Sequence, residues 1–375
     1  MRLPLYTRAL MTCLLLAGLA SFHRPETIAA APRAPAAGRT LVPGARVWMH
    51  AHNCYPDQGA WRDRLTRALA TGLPWVAIEQ DLVWAPNPSG AGGRILVAHD
   101  TPALGSEPTL DRHFFERVQP FLEQSLARGD RDRWPLMVLS LDFKTNEPEH
   151  HRAVWDLLGR YERFLTTAVK ESGPGRASPL RVGPLLVLTE SGPGQEDTFF
   201  TRLEDGANLR LFGTVPPPDF DEDARKRRHE IDPGILIPSG ATSYRRWVNF
   251  PWSAVEAGGP AESGSWSDRD EARLRALVAR AHSLGLWIRF YTLNGHQPES
   301  GLGWSDSYNF GSPSAVRLRW QAAMRAGVDF VATDQYEAFA DDWKRHQQAS
   351  ALPGRPGINP GGRQPVAYMP SISSR

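Results

Sequence analysis

The chemistry-bearing residues of this 375-residue chain gather at the ends of short apolar runs. Residues 75–100 read WVAIEQDLVWAPNPSGAGGRILVAHD. The first run ends on Glu79 and Asp81, and a spacing of two on a strand puts both carboxylates on one face. After a Pro/Gly/Ser-rich loop, the second run delivers His99 and Asp100. Upstream, another run ends in His50, His52 and Asn53; downstream, SLDFKT supplies Asp142 and Lys144. Carboxylates on one face with histidines beside them suit a divalent cation next to a proton-transfer group. A short E-x-D match is also what a strand end carrying ordinary surface charge would show, so the surroundings must decide.

The elements that would position these residues alternate. Strands are expected at 47–53, 75–83, 136–143, 185–189, 209–214, 246–251, 286–293 and 329–333. Helices are expected at 61–70, 110–127, 149–169, 270–284 and 315–326. In the 270–284 segment Leu274, Leu277, Val278 and Ala281 recur at helical spacing, and Gly285 supplies the stop. Eight strands interleaved with helices predict an α/β fold closed as a single-domain (β/α)8 TIM barrel. Polar residues at the carboxyl ends of the strands are where such a barrel builds its active site: His52 and Asn53, Glu79 and Asp81, Asp142 and Lys144, Glu190, Asn249, Tyr291 and Asn294, Asp334.

Composition sets limits. Hydrophobic content of 41% and charged content of 22% suit a globular protein with a full core. A net charge of +2 gives no case for a nucleic-acid partner. Arg2 and Arg8 followed by ALMTCLLLAGLA read as a signal peptide over 1–30, which implies a secreted or periplasmic protein; a retained anchor is the alternative. An Ala/Pro-rich linker over 31–45, the barrel over 46–347 and a disordered Gly/Pro/Ser tail over 348–375 complete the expected organisation. Cys13 falls in the signal, which leaves Cys54 alone and no disulfide in the mature chain. The segment 216–240, with its PPPDFDEDARKRRHE run, reads as solvated surface.

Six motifs in order carry a family resemblance: HNCY (52–55), IEQD (78–81), VAHD (97–100), SLDFKT (140–145), YTLN (291–294) and GVDFVATD (327–334). Together they resemble the PLC-like phosphodiesterase superfamily, which includes glycerophosphodiester phosphodiesterases, phosphatidylinositol-specific phospholipases C and sphingomyelinase D. The resemblance spans roughly residues 46–340. It implies His52 and His99 as the acid/base pair and Glu79, Asp81, Asp142 and Asn53 as ligands of one divalent cation, Mg²⁺ or Ca²⁺. It implies Lys144 beside the substrate phosphate. The LDFKT run looks nearer to sphingomyelinase D than to typical glycerophosphodiesterases. Cys54 stands where relatives with an HND-type sequence carry Asp, and the loop between Trp84 and Arg94 is long and proline-rich; both leave the substrate open.

The implied activity is hydrolysis of a small-molecule or lipid phosphodiester by a monomer, with peripheral membrane contact. Three carboxylates suit a hard cation better than zinc. Alternatives stay open for individual residues. His50 and His52 share a face, and only the His-Asn pairing favours His52, leaving His50 as a substrate contact or a buried, hydrogen-bonded ring. Lys144 could simply pair with Asp142. Tyr291 and Asn294 either bind substrate or satisfy strand-end hydrogen bonds. Asp334 reads as structural. Trp84, Trp252 and Trp304 line a lipid cleft or pack in the core. A metal-dependent amidohydrolase would use the His50-x-His52 pair and Asp334, but needs histidines at later strand ends, and none lies between His151 and His229 or between His229 and His282, so strands four, five and six end without one. A barrel that binds a ligand without turnover is the third reading.

Overall fold

The computed structural model describes residues 41–351, apart from 58, 91, 102, 104, 172–176, 298–299 and 301–304. In chain order the elements are β1 (Trp48–Ala51), α1 (Arg64–Ala70), β2 (Val76–Pro86), β3 (Gly93–Val97), α2 (Glu116–Arg128), β4 (Met137–Phe143) and α3 (Pro148–Arg160). There follow β5 (Thr167–Val169), β6 (Leu180–Arg181), β7 (Leu185–Thr189), β8 (Asn208–Leu209), β9 (Phe212–Thr214), α4 (Glu222–Lys226), α5 (Pro233–Leu236) and β10 (Arg245–Pro251). The last elements are α6 (Asp268–Ser283), β11 (Trp287–Tyr291), α7 (Pro313–Ala326), β12 (Phe330–Thr333) and α8 (Tyr336–Ala351).

Eight of these strands form a closed parallel sheet in the order β1, β2, β4, β7, β9, β10, β11, β12, and β12 pairs back with β1. That is the expected (β/α)8 barrel. Closure leaves no free edge in the ring, and among the described residues one further strand joins this sheet, β3, antiparallel to the outer half of β2. Each barrel strand is buried on both sides, as helices outside and side chains inside require, so the first eight residues of β2 are all buried. The helices show the same logic. In α6 the residues Leu274, Leu277, Val278 and Ala281 face inward as their period demands. Its start is earlier than the apolar pattern suggests, because Ser267 caps Asp270 N–H and Asp270 reciprocates as a capping box.

Three expectations change. The helix expected over 149–169 stops at Arg160. A 3₁₀ turn follows, and the β-branched run Thr166, Thr167 and Val169 takes up strand β5, joined to the barrel where Thr166 N–H donates to Leu185 O at 2.7 Å. Strands β5, β6 and β8 form a small antiparallel sheet that the sequence reading lacks. A final helix, α8, follows the last barrel strand, with Phe339, Ala340 and Trp343 buried at helical spacing, and it runs four residues past the expected domain end at 347. The expected signal, most of the linker and residues 352–375 of the expected tail lie outside the described residues. No helix among the described residues is long and apolar enough to cross a membrane.

Candidate active site

The site begins with the strand period. His50 and His52, Glu79 and Asp81, Asp142, and Arg289 and Tyr291 are spaced by two along their strands, and Asp81 sits level with Asp142 in the β2–β4 register. Their polar ends meet at the carboxyl end of the barrel.

His52 is 7% exposed. Its Nδ1 lies 3.2 Å from Asp334 Oδ1, just beyond the end of β12. Asp334 is itself fixed: Arg64 Nη1 donates to Oδ1 at 2.7 Å and Asn294 Nδ2 donates to Oδ2 at 2.6 Å. The chain that presents His52 is pinned too, since Tyr336 Oη donates to His52 O at 2.7 Å. With Nδ1 held on a carboxylate, Nε2 is the nitrogen left to exchange a proton, and it faces Glu79 Oε2 at 3.7 Å. Burial would lower the imidazole pKa, but the charges of Asp334 and Glu79 outweigh it and hold His52 above its ordinary value. His52 therefore holds its proton to a higher pH than a free imidazole.

Glu79 is the hub. Arg289 Nη2 donates to Oε1 at 2.6 Å, and the Asn53 backbone N–H donates to Oε2 at 2.9 Å. Asn53 makes that bond from a left-handed conformation, φ 46°, which asparagine tolerates better than most residues. Burial opposes the charge on Glu79, but the Arg289 guanidinium, then His52, more than offsets it, and the carboxyl stays well below the usual range. Arg289 also donates from Nη1 to Asn249 Oδ1 at 3.1 Å and approaches Glu190 Oε1 at 3.4 Å, while Asn249 Nδ2 donates to Glu190 Oε1 at 2.7 Å. The Tyr291 ring covers the guanidinium with its centroid 5.3 Å from Cζ. Tyr308 stands edge-on to His52 at 5.5 Å between ring centroids.

On the neighbouring strands Lys144 Nζ bridges two carboxylates, at 2.8 Å from Asp81 Oδ2 and 2.7 Å from Asp142 Oδ2. Burial, then the charge of Asp142, pushes Asp81 up to about 7. Burial and Asp142 likewise push Glu190 up to about 8. Four carboxylates thus share the charges of Arg289 and Lys144, and the cluster resists carrying its full negative charge.

The sign of the Asp81 effect is testable. Between about pH 4 and about pH 7 the folded protein keeps a proton on Asp81 that the unfolded chain has released, so stability falls as pH rises through that window. Asp81→Asn removes this loss. In EDTA the variant should be more stable than the wild type at pH 8 by about 2–4 kcal/mol, with a higher melting temperature, and the difference should vanish near pH 4. Parallel melts at the two pH values measure it.

The expected site residues divide accordingly. Of the four expected metal ligands, Asp81 and Asp142 stand together. Glu79 is held by Arg289, and Asn53 Oδ1 accepts from Tyr55 Oη at 2.9 Å. Among the described residues no three His, Cys, Asp or Glu side chains stand close enough together to hold a metal ion. Of the expected set, Asp81 and Asp142 stand level and Asp142 opens toward solvent, while Glu79 is engaged by the Arg289 guanidinium. The pair fits a hard cation that keeps most of its waters and takes one or two carboxylates.

Asn294 is fully buried, and both ends of its amide are engaged, Nδ2 with Asp334 and Oδ1 with Asp334 N–H and Thr333 Oγ1, so it holds Asp334 in place. Gly295 lets this turn close, since a Cβ there would meet Val316 and the Ser312 carbonyl within 2.5 Å. His50 is 1% exposed, with no hydrogen-bond partner for either ring nitrogen among the described residues, and burial, then Arg289, pushes its pKa well down. Tyr291 remains partly exposed above Arg289. Lys144 pairs with Asp142, as the plainer reading expects, and with Asp81 too. His99 lies at the rim, where β3 runs out beside Asp81, its side chain 41% exposed and its Nδ1 3.1 Å from Asp100 Oδ1. Trp252 is packed in the core, Trp84 stacks on His150 with centroids 5.7 Å apart, and Trp304 lies outside the described residues.

Sequence reasoning missed Arg289, Tyr308 and the orienting role of Asp334. Arg289 carried a usable signal, a charge in the middle of the WIRFY run, two residues before Tyr291 and hence on its face.

No protein-family model matches the chain, and no curated protein matches it. Solved structures do. A glycerophosphoryl diester phosphodiesterase from Parabacteroides distasonis is 12% identical, with 81% of this chain and 87% of that chain covered and a TM-score of 0.35. A calcium-dependent phosphoinositol-specific phospholipase C from Pseudomonas sp. is 13% identical over 81% and 94% of the two chains, with a TM-score of 0.43. A dihydropteroate synthase from Burkholderia cenocepacia is 16% identical over 81% and 92%, with a TM-score of 0.35.

Proposed function

We propose that this chain is a phosphodiesterase of the PLC-like group, cleaving a glycerophosphodiester or a phospholipid headgroup ester with the aid of a divalent cation. One observation carries the reading: the imidazole of His52 is held on Asp334 at the carboxyl end of a barrel where Arg289 and Lys144 also stand. A phosphodiester is an anion that repels nucleophiles, so its hydrolysis needs fixed positive charge and a placed proton donor. His52 supplies the proton from Nε2 to the leaving alkoxide, while Asp334 fixes its tautomer and orientation. His99, its Nδ1 against Asp100, is the second acid/base and takes the proton of the attacking hydroxyl from its solvent-facing position. Arg289 holds Glu79 in place and sets a permanent positive charge beside His52. Tyr291 and Tyr308 wall the same pocket and would bound the alcohol portion of the substrate.

Asp81 and Asp142 would hold the cation, Mg²⁺ or Ca²⁺, whose chemistry is to neutralise a phosphate oxygen. The charged N-terminal residues followed by a 12-residue apolar run support action outside the cytoplasm. The test is product release from bis-(p-nitrophenyl) phosphate and glycerophosphocholine, in EDTA and then with Mg²⁺ or Ca²⁺ restored. Turnover that stops with chelator and returns with metal is the expected result. Turnover indifferent to chelator contradicts the cation assignment and leaves the histidine chemistry standing.

A further inference from the structure

We propose that Lys144 is a resident counter-ion seated in the cation site formed by Asp81 and Asp142, displaced when a divalent cation enters and only then free to meet the substrate phosphate. The inference rests on the metal-assisted phosphodiesterase reading. Its geometry starts from the β2–β4 register, which sets Asp81 level with Asp142 on adjacent parallel strands. Lys144 is two residues beyond Asp142, on the same face, and its backbone N–H is fixed on Leu82 O at 2.9 Å. Only its four-carbon stem can move. Nζ occupies the space between the two carboxylates, within 2.8 Å of one oxygen of each.

Two features make this a cation seat rather than a plain surface salt bridge. Asp81 is 1% exposed, and neither of its carboxyl oxygens has a donor in hydrogen-bonding geometry among the described residues, so the lysine meets this buried carboxyl as an ion pair and leaves its oxygens open to a further partner. The side chains of Asp142 and Lys144 are 31% and 23% exposed, so the seat opens to solvent on one side and a hydrated ion has an entry path. Two carboxylates with water and phosphate in the remaining positions match how Mg²⁺ is commonly held. Lysine suits the exchange because its ammonium is a compact point charge on a flexible stem, whereas Arg289 is 2% exposed and fixed by three partners. An ammonium and a divalent cation cannot share the gap, because like charges about 4 Å apart repel by several kcal/mol near a protein surface. Binding would turn a trio of net charge −1 into a neutral metal site and would release one positive charge toward the mouth.

The experiment is calorimetric titration of Mg²⁺ and Ca²⁺ into the full chain as wild type, Lys144→Met, Lys144→Arg and Asp142→Asn, with thermal melts confirming that each is folded. Removing the competitor should tighten cation binding by about tenfold or more in Lys144→Met. Lys144→Arg should bind like the wild type, and Asp142→Asn should lose the site. Equal or weaker binding by Lys144→Met, with the wild type still binding, overturns the exchange and leaves the cation site intact. No binding by wild type or Lys144→Met removes the cation site itself, and the exchange with it. Should Lys144→Met not fold, the Lys144 ¹³Cε resonance, assigned by its loss in Lys144→Arg, decides: it shifts at saturating Mg²⁺ if the ammonium is displaced, and a static resonance overturns the exchange.

Discussion

Replacing His52 by alanine should cut turnover of a phosphodiester by about 10²–10⁴-fold while changing KM by much less, because the imidazolium acts as the proton donor in the transition state. The pH profile separates this role from simple packing. Asp334 is the leading influence that raises the His52 pKa. In the wild type, kcat/KM should therefore fall as pH rises through a value above the ordinary 6.5. In Asp334→Asn that falling limb should move to lower pH, since the imidazole then loses its proton sooner. A profile unchanged in Asp334→Asn would assign the limb to another group. The same linkage acts on folding: the stability His52 contributes is complete below about pH 6.5 and is lost as pH rises through its raised folded value.

The second large effect concerns Arg289. Arg289→Met leaves Glu79, 4% exposed, with its strongest counter-ion gone. Breaking a buried ion pair from one side typically costs about 3–5 kcal/mol, because the remaining charge stays desolvated and uncompensated. For a domain of this size that lowers the melting temperature by roughly 6–15 °C. The double variant Arg289→Met/Glu79→Gln should recover most of the stability, since neither partner is then charged, yet it should stay inactive. Thermal melts of the two single variants and the double close the cycle. Additive losses in the double variant would show that the two residues do not act as a pair.

How far the sequence reaches can be judged residue by residue. Period-2 spacing is a local property, so it places His50 with His52 and Glu79 with Asp81 on inward faces, and the structure agrees. Strand-then-helix alternation is likewise local, and it suffices for the barrel. What period cannot supply is the partner. Glu79 looks like a metal ligand until β11 is laid across the barrel from it, 210 residues away in sequence, with Arg289 at the same height. Asp334 looks structural until the closing pair β12–β1 carries it to His52. Tyr308 lies in a loop without periodicity, tied down by Asn294 N–H donating to Tyr308 O at 3.0 Å and Phe310 N–H donating to Asn294 O at 2.7 Å. The 149–169 segment misled for a related reason. Its apolar residues continue past Arg160, and only the antiparallel pairing of β5 with β6 and β8 reveals that they have changed from helix to strand.

The central claim is that the mouth of this barrel hydrolyses phosphodiesters through His52. Its most direct test is ³¹P NMR of wild type and His52→Ala incubated with glycerophosphocholine, phosphatidylinositol and lysophosphatidylcholine in the presence of Mg²⁺ or Ca²⁺. Conversion of at least one ester to a phosphomonoester or cyclic phosphate by the wild type alone is the expected result. Conversion at equal rates by both proteins, or by neither on any ester, would contradict it.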